Sequence, residues 1–170
     1  MASMDVAALL VRAVVGATMV AHGYNHLWGG GGLAGTARWF GSLGMRPPKL
    51  HALLSGVGEI AAGAALLLGL LTPLACAFVI GTMVVAGVTA HRKNGFFIFR
   101  PGEGYEYVMT LLICGVALGT VGPGSWSLDD ALEINDDLIG TTGLLISLVA
   151  GGAGALLLLA MFWRPVKQPT

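Results

Sequence analysis

Five long apolar runs dominate the chain and leave few folds open to it. They extend from about Val6 to His22, Ala52 to Leu71, Leu74 to Ala90, Tyr105 to Val121 and Leu138 to Trp163. A helix crossing the hydrocarbon core of a bilayer needs roughly 20 mostly apolar residues, within a range of about 17–25. The runs are rich in Ala, Leu, Gly and Val, the residues that helices packing in lipid prefer. None alternates polar and apolar with the two-residue period of a barrel strand. The chain therefore reads as all-α, a polytopic membrane helix bundle. Composition agrees, since only 11% of the 170 residues are charged, against about 25% in a soluble domain. Nine basic residues cancel nine acidic ones, which removes the electrostatic basis for a nucleic-acid partner. The lipid bilayer is the first partner implied.

The basic residues predict how the bundle is oriented. Arg38, Arg46 and Lys49 fall between the first and second segments. Arg92, Lys93 and Arg100 fall between the third and fourth, and Arg164 and Lys167 follow the fifth. With alternating sides these eight share one face, and only Arg12 lies within the membrane. The other face holds Asp5, the Thr72-Pro73 turn and an acidic loop with Asp129, Asp130, Glu133, Asp136 and Asp137. By the positive-inside rule the N-terminus is outside and the C-terminus cytoplasmic. The first segment is read as a retained helix. It has Asp5 where a signal peptide has a basic region, carries Arg12 inside the apolar stretch, and lacks a small-residue cleavage pattern near His22-Gly23.

Trp28, Trp39, Trp126 and Trp163 stand at or just beyond the predicted helix ends, where indole rings anchor to headgroups. Leu33 to Leu43 is predicted to form a short helix on the cytoplasmic surface, with Trp39, Phe40 and Leu43 toward lipid. Several chemistries are excluded. Cys76 and Cys114 are far apart and belong to no paired motif, so they read as small packing residues. The Gly29 to Gly32 run follows a Trp rather than a strand, which removes a phosphate-binding role.

What remains is a set of ionisable residues in or against hydrocarbon. Arg12 and Glu59 lie inside the first and second segments. Intramembrane charges pair or face a polar cavity, so either an ion pair between the two or a functional polar site is expected. A second group gathers at the cytoplasmic helix ends: His22, His26, His51, His91 and Glu106, with Tyr24, Tyr105 and Tyr107. Imidazole and carboxylate together can exchange protons near neutral pH; the alternative is that they satisfy helix ends. No metal site is expected, because the pair nearest to i,i+4 ligand spacing on one helix, His22 and His26, flanks a Gly near a helix end. The candidate intramembrane polar site comprises Arg12, His22, Glu59, His91, Tyr105 and Glu106.

At these residues the chain resembles the DoxX family of small membrane proteins, from Leu10 to about Asp130. The resemblance rests on the Arg12 helix ending His22-Gly23, on Gly35-Thr36-Ala37 and on Trp39-Phe40-Gly41-Ser42-Leu43-Gly44. It continues through Glu59 in a Gly- and Leu-rich helix, Gly69-Leu70-Leu71-Thr72-Pro73 and His91-Arg92-Lys93-Asn94-Gly95-Phe96-Phe97. Gly104-Tyr105-Glu106-Tyr107 and Gly122-Pro123-Gly124-Ser125-Trp126-Ser127-Leu128-Asp129 complete it. Family members usually have four helices. The resemblance thus implies a DoxX-like four-helix core over 1–130, followed over 131–170 by the acidic extracytoplasmic loop, a fifth transmembrane helix and a short cytoplasmic tail. His26 stands where members often carry Lys.

The resemblance also implies a bacterial inner-membrane protein. Family subunits are linked to a terminal quinol oxidase and to thiosulfate oxidation that reduces quinone. Three functions stay open: an accessory subunit of a respiratory or redox assembly, the membrane subunit of a thiosulfate:quinone or thiol-linked oxidoreductase, and a small-solute transporter. Quinone is the expected cofactor, with none bound covalently. Lacking haem, flavin or metal ligands, the chain would need partner subunits to supply or receive electrons. The fifth segment, with Gly151, Gly152, Gly154 and Ala155, is expected to dock such a partner.

Overall fold

The computed structural model describes residues 2–165 and is helical throughout. Lys167, one of the eight residues that set the predicted orientation, lies outside the described residues. The helices are α1 (Ala2–Trp28), α2 (Gly32–Ser42), α3 (Pro48–Leu68), α4 (Thr72–Ala86), α5 (Glu106–Val121), two single turns α6 (Leu128–Ala131) and α7 (Asn135–Leu138), and α8 (Gly140–Phe162). A π-helical turn, Gly87–His91, extends α4. The five apolar runs are α1, α3, α4 with its π turn, α5 and α8.

Four of these are long and apolar enough to cross a membrane. The exception is α5, whose 16 residues rise about 24 Å at 1.5 Å per residue, short of a hydrocarbon core of about 30 Å. It nonetheless runs from one end of the bundle to the other. At one end of the bundle, Asp129 of the segment after α5 accepts hydrogen bonds from Leu71 N and Thr72 N at the start of α4. At the other, Arg46 N donates to Phe162 O and Arg164 N to Gly44 O, each at 2.9 Å. Helices α4 and α8 therefore run in the same direction, and α5 returns the chain between them. The residues that face outward are apolar: Leu10, Val14, Ile113, Val149 and Leu156 are each more than half exposed. A surface of that kind fits a multi-pass membrane protein, because in lipid the outside need not be polar.

Helices α1 and α3 approach each other closely. A Cβ at Gly16 would lie 2.7 Å from the carbonyl oxygen of Gly63, and one at Gly23 would lie 2.5 Å from that of Gly56. Two glycine pairs, spaced seven residues apart on each helix, thus let the backbones nearly touch, and dispersion rather than hydrophobic burial supplies the attraction. Helix α3 begins at Pro48, whose missing N–H costs nothing there. It ends at Gly69 in the left-handed region, with φ 65°. The central core joins Val15 and Met19 of α1 to Leu66, Val79, Leu111 and Leu118.

Three expectations change at the two ends. Asp129 is buried rather than part of a solvated acidic loop, because its carboxylate is needed by two orphan N–H groups at the N-terminus of α4. The fifth apolar run does not stand apart as a free docking element. In α8, Gly151 packs against α4, where its Cβ would meet Ala77 O at 2.6 Å, and Ser147 donates to Pro73 O at 3.1 Å. Only part of the small-residue cluster, Gly152 and Gly154, opens outward. Finally, Trp39 and Phe40 of the short amphipathic helix α2, with Leu43 just after it, line a cavity.

Candidate functional site

The glycine contact between α1 and α3 determines what stands beside it. One turn from the Gly23–Gly56 approach, His26 of α1 meets Ser55 and Glu59 of α3. Ser55 and Glu59 are four residues apart and share a helix face. The Ser55 hydroxyl donates to Glu59 Oε1, and His26 Nδ1 lies 3.2 Å from Ser55 Oγ and 3.5 Å from Glu59 Oε1. With the hydroxyl proton committed to Glu59, the His26 contact has Nδ1–H as its donor. Glu59 is only 2% exposed, yet its second oxygen, Oε2, has no hydrogen-bond partner.

Glu59 faces a cavity of about 570 Å³. Apolar side chains such as Met19, Phe40, Phe78 and Leu158 form most of its lining. The polar groups are few: His22, His26, His51, Ser55, Glu59, Thr82, Thr89, His91, Glu103 and Tyr107. Tyr107 of α5 reaches across to α1, its Oη 2.9 Å from His22 Nε2, with the two rings stacked at 5.5 Å. His26 is flanked by Trp39 and Phe40 of α2, at ring distances of 6.3 and 5.7 Å. Toward the basic end the cavity adjoins a second of about 500 Å³, sharing Trp39, Leu43, Ala90, His91 and Glu103. The π turn carries His91 to this mouth, where Nδ1 donates to Glu103 O at 2.9 Å. Single π turns are frequent at functional sites because they re-aim one side chain. A mostly apolar cavity with a few convergent polar groups is the usual form of a small-molecule site.

The DoxX family model matches residues 7–92, half of the chain. The chain belongs to the DoxX family. Among curated proteins and among solved structures, none matches it. The matched DoxX span carries Arg12, His22, His26, Ser55, Glu59 and His91. The further blocks of resemblance, Gly104 to Tyr107 and Gly122 to Asp129, lie beyond it.

Within this DoxX bundle the six residues singled out from sequence separate. His22, Glu59 and His91 line the cavity. Arg12 does not, and it does not pair with Glu59. Its guanidinium donates to the carbonyls of Leu67, at 3.0 Å, Leu66 and Trp126, closing the far end of the bundle. The pairing fails because Gly69 ends α3 beside Arg12, and the free carbonyls there satisfy the cation first. Glu106 accepts a hydrogen bond from Ile98 N and so orders the loop before α5. Tyr105 packs edge-on against Phe96 in that loop. His51 donates from Nε2 to Arg46 O and packs on Phe162 of α8. Ser55 and Glu103 were not singled out. The i,i+4 spacing of Ser55 and Glu59 was a usable signal, whereas Glu103 acts through its backbone carbonyl, which no sequence pattern marks.

Proposed function

We propose that this protein is an integral membrane accessory subunit of a bacterial redox assembly, binding a quinone in the cavity bounded by Glu59, His26, His22 and Tyr107. The observation that carries the reading is Glu59 Oε2, a buried polar atom without a partner on a residue that lines a mostly apolar cavity. Such an atom is costly unless a ligand or proton satisfies it. A quinone suits the donor set, since its ring is flat and apolar and its carbonyls take hydrogen bonds. Quinone chemistry interconverts with quinol by two electrons and two protons.

In this reading the chain contributes proton handling and orientation. Glu59 holds a proton at Oε2, and Ser55 fixes the carboxyl through Oε1 while His26 donates to Ser55. Tyr107 and His22 form a second proton-exchanging pair across the cavity. Trp39 and Phe40 supply faces for a flat ring and limit water. Electrons come from a partner redox subunit. Cys76 and Cys114 lie outside the cavity lining, which favours this reading over thiol chemistry by the chain itself. The orientation that goes with it puts the His91 mouth on the cytoplasmic side, from the basic residues around it.

Trp39 provides the test. Quinone titrated into the detergent-purified protein, with Trp28, Trp126 and Trp163 replaced by Phe, is expected to quench Trp39 fluorescence saturably, and Glu59→Gln to weaken binding about tenfold or more. Absence of saturable binding by benzoquinones and naphthoquinones alike rejects the reading. Mass spectrometry after mild-detergent purification identifies the redox partner. A cytoplasmic reporter fused after Lys167 is expected to be active; activity of an extracytoplasmic reporter there reverses the orientation.

A further inference from the structure

The cavity is not closed on the lipid side. Helices α3 and α8 both pack on α4 but make no extensive contact with each other. They meet at the basic end, where His51 packs on Phe162. Below that junction the cavity lining continues from Glu59 over Phe78, Ala77 and Leu74 of α4, with Ala150 and Gly154 of α8 opposite. Leu74 is 53% exposed and Gly154 is exposed, so this arm of the cavity reaches the outer face of the bundle. Leu74 is two residues past the start of α4 and His91 closes its π turn. The lined face thus spans about 25 Å at 1.5 Å per residue, most of the hydrocarbon depth. A Cβ placed on Gly154 meets no atom within 4 Å, so the wall is open at Gly154, one turn from the tight contact of Gly151 with α4.

We propose that this lateral groove holds the hydrocarbon tail of the ligand whose polar head is taken at Glu59, and that α8 is its tail-binding wall. The inference rests on the quinone reading above and adds to it that the ligand enters sideways from the bilayer. Two features meet here: a lining residue, Glu59, with an unpartnered buried carboxylate oxygen, and an apolar arm of the same cavity that reaches lipid. A water-soluble ligand has no use for the channel. A membrane-dissolved amphiphile fills both, burying its head against polar groups and its chain against Leu74, Phe78 and Ala150.

Two glycines of α8 provide a matched test. Both Gly152 and Gly154 accept a Cβ into open space, but only Gly154 lines the cavity. Binding of two quinones with the same ring, one carrying a long isoprenoid tail and one with none, is measured by Trp39 quenching. Gly154→Leu is expected to weaken the tailed quinone about tenfold or more, because a side chain then occupies the channel. The tail-less quinone is expected to bind unchanged, and Gly152→Leu to alter neither. Equal loss in both variants, or no loss with Gly154→Leu, overturns the groove while leaving the head site intact. If the wild-type protein binds neither quinone, the head site falls and the groove with it. Melting curves of the two variants confirm that both retain the fold.

Discussion

At the acidic end of the bundle, Arg12 and Asp129 turn their charged groups to the backbone. Arg12 donates through both terminal nitrogens to carbonyls of Leu66, Leu67 and Trp126, and both oxygens of Asp129 accept from the start of α4. Beside the cavity, Glu59 is as deeply buried as Arg12, at 2% exposure for each. Each keeps one buried atom without a partner, Arg12 Nε and Glu59 Oε2, but only Glu59 lines the cavity. Burial alone does not separate the two cases. An intramembrane charge whose terminal groups close helix ends is structural; one on a residue that lines a cavity is open to a ligand. The contrast divides the molecule into an end that locks the fold and an interior whose polar groups line a cavity.

The largest effect is expected at the locking end. Asp129→Ala removes two hydrogen bonds to a charged acceptor, each worth about 1.5–3 kcal/mol, and leaves the buried N–H of Thr72 and the part-buried N–H of Leu71 unsatisfied. Thermal unfolding in detergent is expected to show a loss of about 3 kcal/mol or more. A melting temperature equal to that of the wild type would break the contrast at its stronger half.

Next in size is the helix contact that brings the two polar strips together. Gly23→Ala places a methyl 2.5 Å from the carbonyl oxygen of Gly56, and overpacking of this kind costs about 1–3 kcal/mol. It also pushes His26 away from Ser55 and Glu59, so quinone binding is expected to weaken along with stability. A variant that melts lower but binds as before would show that the site tolerates separation of α1 and α3.

Glu59→Gln tests the contrast directly. The amide keeps the Ser55 hydrogen bond and leaves no unpaired cation behind, so unfolding is expected to shift by less than about 1 kcal/mol. Were Glu59 the partner of Arg12, the same change would strand a buried charge and cost about 3–5 kcal/mol. Differential scanning of this variant beside Asp129→Ala distinguishes the alternatives in one experiment.

The difference between these outcomes also marks what could be read from the chain alone. The helices were legible because twenty-residue hydropathy is a property of each segment by itself. That Arg12 and Glu59 stood in hydrocarbon was legible for the same reason. Their partners were not, because partnership depends on rotation about each helix axis and on where α3 ends. Arg12 is satisfied by backbone carbonyls at the Gly69 terminus, groups that every residue carries and no side-chain pattern reveals. Asp129 looked like any loop carboxylate among its four acidic neighbours; only the fold brings the start of α4 to it. The site at Glu59 was half visible, with His22, Glu59 and His91 marked as titratable groups in the membrane. Ser55 went unmarked although it shares the face of Glu59, since a lone Ser in a lipid-facing helix is ordinary. The aromatic roof from α2 was assigned to lipid because an amphipathic surface helix and a cavity lid have the same sequence pattern.

The smallest effect concerns the pair whose side of the contrast is least obvious. Tyr107 Oη and His22 Nε2 satisfy each other at 2.9 Å, as the groups at the locking end do, yet both residues line the cavity. Tyr107→Phe keeps the ring stacked on His22 and deletes only the hydroxyl, a change worth about 0.5–1.5 kcal/mol for one hydrogen bond. If the pair is structural, that amount is lost from stability and quinone affinity stays constant. If it belongs to the site, melting is nearly unchanged and affinity falls several-fold, because His22 loses the partner that orients it toward the ring. The second outcome is expected. Helix α5 already packs against α1 through Val108 and Leu111 in the common core, so the helices need no polar tie at this depth. A parallel fall in both quantities would show that the division between locking and cavity-lining groups is not sharp at the base of the cavity.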